Sequence, residues 1–187
     1  LSQATTINMS KLGGNLEISG TTVRHYIDVL TDLFLVRQLR PWHGNSRKRL
    51  VKMAKIYVRD SGVMHTLANI KDIDDITGHP LYGASWEGFV IEQIAQLLPY
   101  GAQCSFYGSS DKVEVDLVIE HVKAGTMAIE IKRTLTPSIS KGFRTACEEI
   151  KPTERYYLIP EGDPYPMDKE TTAIGLSEFL RLLPSKI

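Results

Sequence analysis

The stretch from Val113 to Lys132 reads VEVDLVIEHVKAGTMAIEIK, two runs of alternating apolar and polar residues joined by a short polar connection. Alternation is typical of a β-strand with one buried face, so the stretch predicts a β-hairpin. Successive side chains of a strand point to opposite faces. Strict alternation therefore groups four apolar side chains of the first run: Val113, Val115, Leu117 and Ile119.

The polar face of this hairpin is a candidate functional site. If the runs pair around a turn centred near Lys123, Asp116 lies opposite Glu130, and Lys132 projects from the same face. Two neighbouring carboxylates repel each other, which favours a bound hard cation such as Mg²⁺ or Mn²⁺. A metal that activates water, beside a lysine that stabilises negative charge, suits the hydrolysis of a phosphodiester.

The helix predicted for Ser85 to Leu98 carries one unusual carboxylate. Glu87 lies at the centre of an apolar arc, because the residues three, four, seven and eleven positions further on are all apolar. A carboxylate on an apolar face costs free energy unless it is paired or binds a cation. Glu87 is therefore a further candidate for the site, and the alternative is a first-turn glutamate stabilised by the helix dipole.

The N-terminal region reads as two helices, 7–18 and 21–34, and two strands, 35–42 and 50–58, around an exposed basic tip. This is the order of a winged helix, with the second helix in the recognition position. The candidates for contacts with DNA phosphates are Arg24, Arg40, Arg47, Lys48, Arg49 and Lys52. Two alternatives stay open: a solvated turn whose charges protect a strand edge from aggregation, and a winged helix that docks on another protein.

Composition excludes some classes of function. Lysine plus arginine and aspartate plus glutamate both total 22, so overall charge gives no reason to expect a polyanion or a membrane as partner. The segment from Arg37 to Arg59, however, contains eight basic residues and no acidic one. No run approaches the roughly 20 apolar residues of a membrane helix, and no secretory signal opens the chain. We expect a cytoplasmic protein with no membrane partner. The distant Cys104 and Cys147 predict packing thiols.

The predicted fold class is α/β (α+β), in two domains. A winged-helix-like domain over 1–70 is followed by a polar, acidic linker over 71–80 and by a mixed sheet flanked by helices over 81–187. The chain opens in mid-pattern at Leu1, without an initiator methionine, which suggests that it belongs to a longer protein.

The residues of the hairpin resemble those of a known superfamily. Asp116 followed by Glu130-Ile131-Lys132 is similar to the D…(D/E)xK motif of restriction-endonuclease-like proteins, called PD-(D/E)XK. The resemblance implies a metal-dependent nuclease core with Mg²⁺ or Mn²⁺, in which Asp116 and Glu130 are metal ligands, Lys132 is the catalytic lysine and Glu87, on the preceding helix, is an accessory ligand. Val115 stands where the motif's name has proline, at a position that varies in the superfamily.

A second resemblance covers nearly the whole chain. The segments KIYVRDSGVMHTL, GASWEGFVIEQI, EVDLVI and AIEIK resemble the C-terminal half of prokaryotic AAA+-type ATPases that carry a domain of unknown function. This implies an N-terminal AAA+ ATPase domain as partner and assembly into homo-oligomers. The chain has no GxxxxGK[ST] motif, so we expect no ATP site in it.

Three functional hypotheses follow. The first is a nuclease whose winged helix presents DNA to the hairpin. The second is a non-catalytic DNA- or protein-interaction module that retains the nuclease fold. The third takes the polar residues, such as Glu114 with Lys132, as cross-strand ion pairs on an exposed sheet face.

Overall fold

The computed structural model describes residues 2–44, 50–111 and 113–187, and the chain is mixed α/β, as predicted. The nine strands found there are β1 (Thr5–Thr6), β2 (Val36–Pro41), β3 (Lys55–Val58), β4 (Gln103–Gly108), β5 (Glu114–His121), β6 (Gly125–Ile131), β7 (Glu154–Ile159), β8 (Tyr165–Pro166) and β9 (Thr171–Gly175). The seven helices of the same ranges are α1 (Met9–Asn15), α2 (Gly20–Asp32), α3 (Ser61–Leu67), α4 (Ile73–Thr77), α5 (Tyr82–Leu97), α6 (Lys141–Ile150) and α7 (Leu176–Lys186).

The chain divides into two compact units. Unit 1 comprises Leu1–Arg40 and Met53–Phe89, and unit 2 comprises Pro41–Lys52 and Val90–Ile187. No helix of the described residues is both long enough and apolar enough to cross a bilayer.

Unit 1 combines a small antiparallel sheet with short helices. β3 pairs with β1 and also with β2, and α1 packs against α2. The side chains of Asn8 and Ser19 cap these two helices by accepting hydrogen bonds from their first turns. Val23 and Ile27 of α2 form one buried cluster of this unit with Ile56 of β3. The order helix, helix, hairpin is the one that the sequence predicts.

Unit 2 is built on a six-stranded mixed sheet in the order β4-β5-β6-β7-β9-β8. β4, β5 and β6 run antiparallel, β7 and β9 continue parallel to β6, and β8 is antiparallel to β9. A parallel pair needs a crossover connection, which α6 provides between β6 and β7. The predicted mixed sheet flanked by helices is therefore present in this region.

Helices α6 and α7 cover opposite faces of this sheet. Phe143 of α6 meets Tyr157 edge-on, with ring centroids 5.0 Å apart, whereas Phe179 of α7 meets Tyr156, with centroids 5.2 Å apart. Tyr156 and Tyr157 are successive residues of β7, so they point to opposite faces. Both faces are buried, which explains why the middle of each strand is apolar on both sides.

The β5–β6 hairpin has the predicted register. The terminal pairs of its ladder are Leu117 with Ile129 and His121 with Gly125. Both pairs are centred on Lys123, so one further step along the ladder puts Asp116 opposite Glu130.

The prediction that side chains alternate strictly along β5 is wrong, because a β-bulge interrupts the alternation. Ser105 of β4 pairs with Val118, but Tyr107 pairs with Val115, so two residues of β5 oppose the single Phe106. Val115 therefore packs into the same cluster as Val118, and Val113 packs against that cluster too. The predicted grouping of Val113 and Val115 with Leu117 and Ile119 does not form.

The predicted strand 50–58 begins only at Lys55. Leu50 instead bridges to Ser109, and the N–H of Trp42 donates to the carbonyl of Phe106 over 2.7 Å. Trp42 is buried in the core cluster of unit 2. The residues on either side of the predicted basic tip therefore bond to β4 and to Ser109 just after it. The Trp42 side chain packs among the apolar residues of the unit 2 core. The centre of that tip, 45–49, lies outside the described residues.

The predicted linker, 71–80, contains α4 and lies in unit 1. Asp72 caps α4, and Asp75 accepts a hydrogen bond from the N–H of Lys71. Two of the three acidic residues of this stretch, Asp72 and Asp75, therefore make hydrogen bonds at the start of α4. The boundary between the two compact units falls within α5, between Phe89 and Val90.

Candidate functional site

Asp116, Glu130 and Lys132 lie together on the face of the unit 2 sheet that α6 covers. Lys132 Nζ donates to Glu130 Oε1 over 2.7 Å. Asp116 Oδ2 accepts from the N–H of Ile131 over 2.8 Å, which ties the carboxylate to the neighbouring strand. Asp116 is one of the two bulge residues, and bulges re-aim side chains at functional sites. The predicted catalytic residues of the hairpin are thus adjacent.

The exposure of this cluster is uneven. The side chain of Glu130 is only 10% exposed, whereas that of Lys132 is 38% exposed. The carboxylate is therefore held within the protein, and the lysine reaches from it to the surface. Such a pair gives a fixed negative charge with an accessible positive charge beside it.

Electrostatics keep Lys132 protonated. Burial alone lowers the pKa of Lys132, but the charge and the hydrogen bond of Glu130, with a further contribution from Asp116, raise this pKa above 10.5. A lysine with a raised pKa remains a cation at neutral pH. It is suited to stabilising negative charge and unsuited to removing a proton.

Tyr157 is a member of this cluster that the sequence analysis missed. It is fully buried and pairs with Glu130 in the β6–β7 ladder, and its hydroxyl accepts from the N–H of Ser140, the N-cap of α6, over 3.0 Å. Burial raises the pKa of Tyr157, the Ser140 hydrogen bond opposes this, and Glu130 adds to it. The available signal was a tyrosine in the buried run ERYYLI, because a buried hydroxyl needs a partner.

Cys147 of α6 lies on the same face and is an unreactive thiol. Burial raises the pKa of Cys147 to about 11, with an opposing contribution from Arg155 and a reinforcing one from Glu130. A thiol with so high a pKa is protonated at neutral pH and is a poor nucleophile. This agrees with its predicted role in packing.

The cluster contains the number of carboxylates that a magnesium site commonly uses. Mg²⁺ is usually held by one or two protein carboxylates, and water and substrate phosphates complete its coordination. Asp116 and Glu130 supply that number from adjacent strands. Across 2–44, 50–111 and 113–187 there is no group of three or more His, Cys, Asp or Glu residues arranged to hold a metal ion.

Glu87 lies in unit 1 and has partners there. Its Oε1 accepts from Tyr57 Oη over 2.6 Å and from Lys55 Nζ over 3.0 Å. The Lys55 side chain is 6% exposed and that of Glu87 is 18% exposed, so this is a buried ion pair. Pairing is one of the two conditions under which a carboxylate on an apolar face is stable. Lys55 and Tyr57 are two residues apart on β3, so their side chains point to the same face of the strand. This spacing is visible in the sequence.

The predicted nucleic-acid contacts are described only in part. Arg24 on α2, Arg40 on β2 and Lys52 are exposed. Arg47, Lys48 and Arg49 lie outside the described residues. The α2 helix also presents Asp28 and Asp32, both exposed, so its surface carries charges of both signs.

Comparison with known proteins gives families without an assigned function. Residues 82–179 match the profile described as a domain of unknown function, DUF4143, and residues 1–74 match another domain of unknown function, DUF8612. Two curated relatives, the uncharacterized proteins Mb2031c of Mycobacterium bovis and Rv2008c of Mycobacterium tuberculosis, are 37% identical to the chain over 171 residues. The match covers 91% of this chain and 38% of each relative, so the chain spans less than half of their length. No solved structure matches the chain.

Proposed function

Because the chain belongs to the family of the domain of unknown function DUF4143, we propose a function from the site itself: a Mg²⁺- or Mn²⁺-dependent phosphodiesterase that cleaves nucleic acid. The observation that carries this proposal is the cluster on the α6 face of unit 2. There Lys132 Nζ lies 2.7 Å from Glu130 Oε1, and Asp116 projects from the adjacent bulged strand. The order of the sheet, three antiparallel strands followed by parallel strands across a helix, supports a restriction-endonuclease-like core.

Each residue of the cluster has a chemical role in this proposal. Asp116 and Glu130 would hold the metal, which supplies an activated water and polarises the phosphate. Lys132, protonated and 38% exposed, stabilises the negative charge that develops on the phosphate. The hydrogen bond from Ile131 holds Asp116, and the Glu130 hydrogen bond holds Lys132, so both side chains are oriented before substrate arrives.

Metal binding tests the ligand assignment. Calorimetric titration with Mn²⁺ should give heat of binding in the wild-type chain and at least tenfold weaker binding in Asp116→Asn, which keeps the size of the side chain and an oxygen for the Ile131 N–H. Equal binding by the two proteins would remove Asp116 from the ligand set.

Cleavage tests the activity. With Mg²⁺ or Mn²⁺, the chain should cleave single- or double-stranded DNA or RNA, and Lys132→Met should lower the rate by about 100-fold or more, because a preorganised charge is lost. Lys123→Met is the matched control, since Lys123 is an exposed lysine in the turn of the same hairpin. The proposal is contradicted if the Lys132→Met variant cleaves as fast as the Lys123→Met control. It is also contradicted if cleavage continues after the metal is chelated.

Unit 1, together with the basic segment that continues into Pro41–Lys52 of unit 2, is proposed to bring the core to nucleic acid. Its helix, helix, hairpin order supports a winged helix, and the basic segment from Arg37 to Arg59 supports contact with DNA phosphates. A variant with Arg40→Gln and Lys52→Gln, both exposed residues, should bind duplex DNA more weakly and with a smaller salt dependence. Unchanged affinity and salt slope would leave the segment without a role in DNA binding.

The greater length of the relatives supports a wider context. We propose that the chain acts in the cytoplasm as the C-terminal part of an AAA+-type ATPase, whose nucleotide-binding domain regulates the core. A full-length relative with a disabled ATP site should then cleave or bind nucleic acid differently in the presence of ATP.

A specific observation favours a second candidate, a non-catalytic protein-interaction module. The α2 helix exposes Tyr26, Leu30 and Leu33, apolar side chains that suit a protein surface better than a phosphate backbone. The cleavage assay separates the candidates, because an interaction module binds its partner without cleaving either DNA or RNA.

A further inference from the structure

One face of α2 is apolar and exposed. We define the α2 stripe as Tyr26, Val29, Leu30 and Leu33, whose exposed fractions range from 38% to 61%. The four residues recur at spacings of three and four, which is the pattern of a helix that packs along another helix. The contacts of α2 with the core of unit 1 come from Val23 and Ile27. The α2 stripe thus extends the apolar surface of the helix beyond what that core uses.

Phe34 extends the stripe at a cost in backbone free energy. Helix α2 ends in a Schellman motif, in which the N–H of Phe34 donates to Thr31 and the N–H of Leu35 donates to Leu30. Phe34 has φ +60° at the position where glycine is usual, and a residue with a Cβ there costs about 1–2 kcal/mol. Its ring is 73% exposed, and the Arg59 guanidinium lies 5.3 Å above it. A strained, exposed aromatic residue contributes little to the core and much to a contact surface.

The polar flank of the stripe identifies what can cover it. His25 and Asp32 are both exposed and lie on one flank, roughly 90–110° around the helix from the centre of the stripe at 100° per residue. Asp28, further around, accepts a hydrogen bond from Gln38. If a second α2 packs antiparallel with Val29 and Leu30 at the twofold axis, His25 of each copy approaches Asp32 of the other. In a parallel pair the twofold axis runs along the helices and sets this flank of each copy against the opposite flank of the other. His25 and Asp32 then do not meet, so the charges favour the antiparallel arrangement.

We propose that two copies of this chain associate through the α2 stripe and Phe34. The two α2 helices are antiparallel, and the pairing of His25 with Asp32 occurs twice, once on each side of the twofold axis. This association does not depend on the phosphodiesterase proposal, because every residue involved lies in unit 1.

Sedimentation equilibrium of the 187-residue chain tests the proposal. The mass should rise with concentration from 21.0 kDa toward twice that value. Leu33→Ser should weaken the association at least tenfold. Leu67→Ser is the matched control, because Leu67 is similarly exposed at the end of α3, and this variant should associate like the wild type. A chain that stays monomeric, or equal effects of the two substitutions, would overturn the proposal.

Two further variants separate association from folding. Phe34→Gly removes the ring and relieves the backbone, so it should weaken association while the unfolding temperature holds or rises. Asp32→Lys places a positive charge at the C-terminal end of α2, where it favours the helix, yet it should weaken association at least fivefold.

The charge reversal also tests the arrangement. His25→Glu combined with Asp32→Lys should restore association to within twofold of the wild type, because the two residues then attract again across the axis. Association that stays weak in the double variant would overturn the antiparallel pairing.

Discussion

The two units differ in how many large apolar side chains they leave exposed. Of the 17 large apolar side chains that are exposed among the described residues, 12 belong to unit 1, which is the shorter unit. Among the described residues, unit 2 buries a cluster of eleven residues between α6 and its sheet, whereas the cluster that α2 forms with β3 in unit 1 has three buried members. Unit 1 therefore exposes more of its large apolar side chains than unit 2 does, and such surface is available for contacts with other molecules.

The two units differ in the same way in their ion pairs. The Lys55–Glu87 ion pair of unit 1 is closed to solvent, since the lysine side chain is only 6% exposed. The Lys132–Glu130 ion pair of unit 2 is open to solvent at its lysine, whose side chain is 38% exposed. A closed pair satisfies its own charges, whereas an open pair presents a charge to a substrate. Of the two pairs, the one in unit 2 exposes a charge, whereas the Glu87 carboxylate of unit 1 is paired with Lys55 and Tyr57.

The largest expected effect comes from the core of unit 2. Phe143→Ala removes a fully buried ring that contacts Tyr157, so it should destabilise unit 2 by about 3–5 kcal/mol. Denaturant unfolding in a Trp86→Phe background measures this through Trp42, which belongs to the buried cluster of unit 2. A loss below 1 kcal/mol would contradict the view that this cluster stabilises the unit.

The ion pairs predict the next effect. Glu87→Gln deprives the buried Lys55 of its carboxylate, which should cost about 3 kcal/mol. Glu130→Gln should change stability by less than about 1 kcal/mol, because Lys132 is solvated and the repulsion with Asp116 disappears. Hydrogen exchange, read separately for peptides of each unit, measures both variants. Adding Lys55→Met to Glu87→Gln should recover most of the loss, and no recovery would argue against a closed pair.

Sequence reasoning succeeded where the determining contacts are local. The turn centred on Lys123 fixes the pairing of β5 with β6, so the register that sets Asp116 opposite Glu130 followed from the position of the turn. It failed where the contact is distant. The bulge depends on how β4 pairs with β5, and the pairing of Lys55 with Glu87 joins positions 32 residues apart. Alternation shows on which face of the strand a residue lies, but not which residue it pairs with. In the same way, the apolar residues around Glu87 do not indicate that Lys55 is its partner.

A pH-dependent contact anchors the end of α7 and should have a smaller effect. Lys186 Nζ donates to Glu154 over 2.6 Å, and Tyr156 also donates to this carboxylate. Burial alone raises the pKa of Glu154, but these hydrogen bonds outweigh it and lower the pKa below 4.5. A lowered pKa contributes stability that is present above pH 4.5 and is lost as the pH falls through the lowered value.

Glu154→Gln measures this contribution. Because both side chains are about 30% exposed, the variant should be less stable than the wild type by only about 0.5–1 kcal/mol at pH 7. The hydrogen bond with Glu154 also raises the pKa of Lys186, so the difference should shrink again at alkaline pH, above 10.5. Thermal unfolding from pH 2 to pH 8 should show the two proteins converging at the acid end, and a constant difference would exclude the ionised carboxylate as its source.

The smallest expected change against the wild type is a gain, and it belongs to unit 1. Phe34→Gly should stabilise the unit relative to Phe34→Ala by about 1 kcal/mol, because alanine keeps the strain of φ +60° and glycine does not. Against the wild type the gain should be nearer zero, since the contact of the ring with Arg59 is worth about 0.5 kcal/mol at an exposed site. Thermal unfolding at a concentration where the chain is monomeric measures all three proteins. If alanine is as stable as glycine, Phe34 is not strained, and the argument that its conformation serves a contact surface loses its basis.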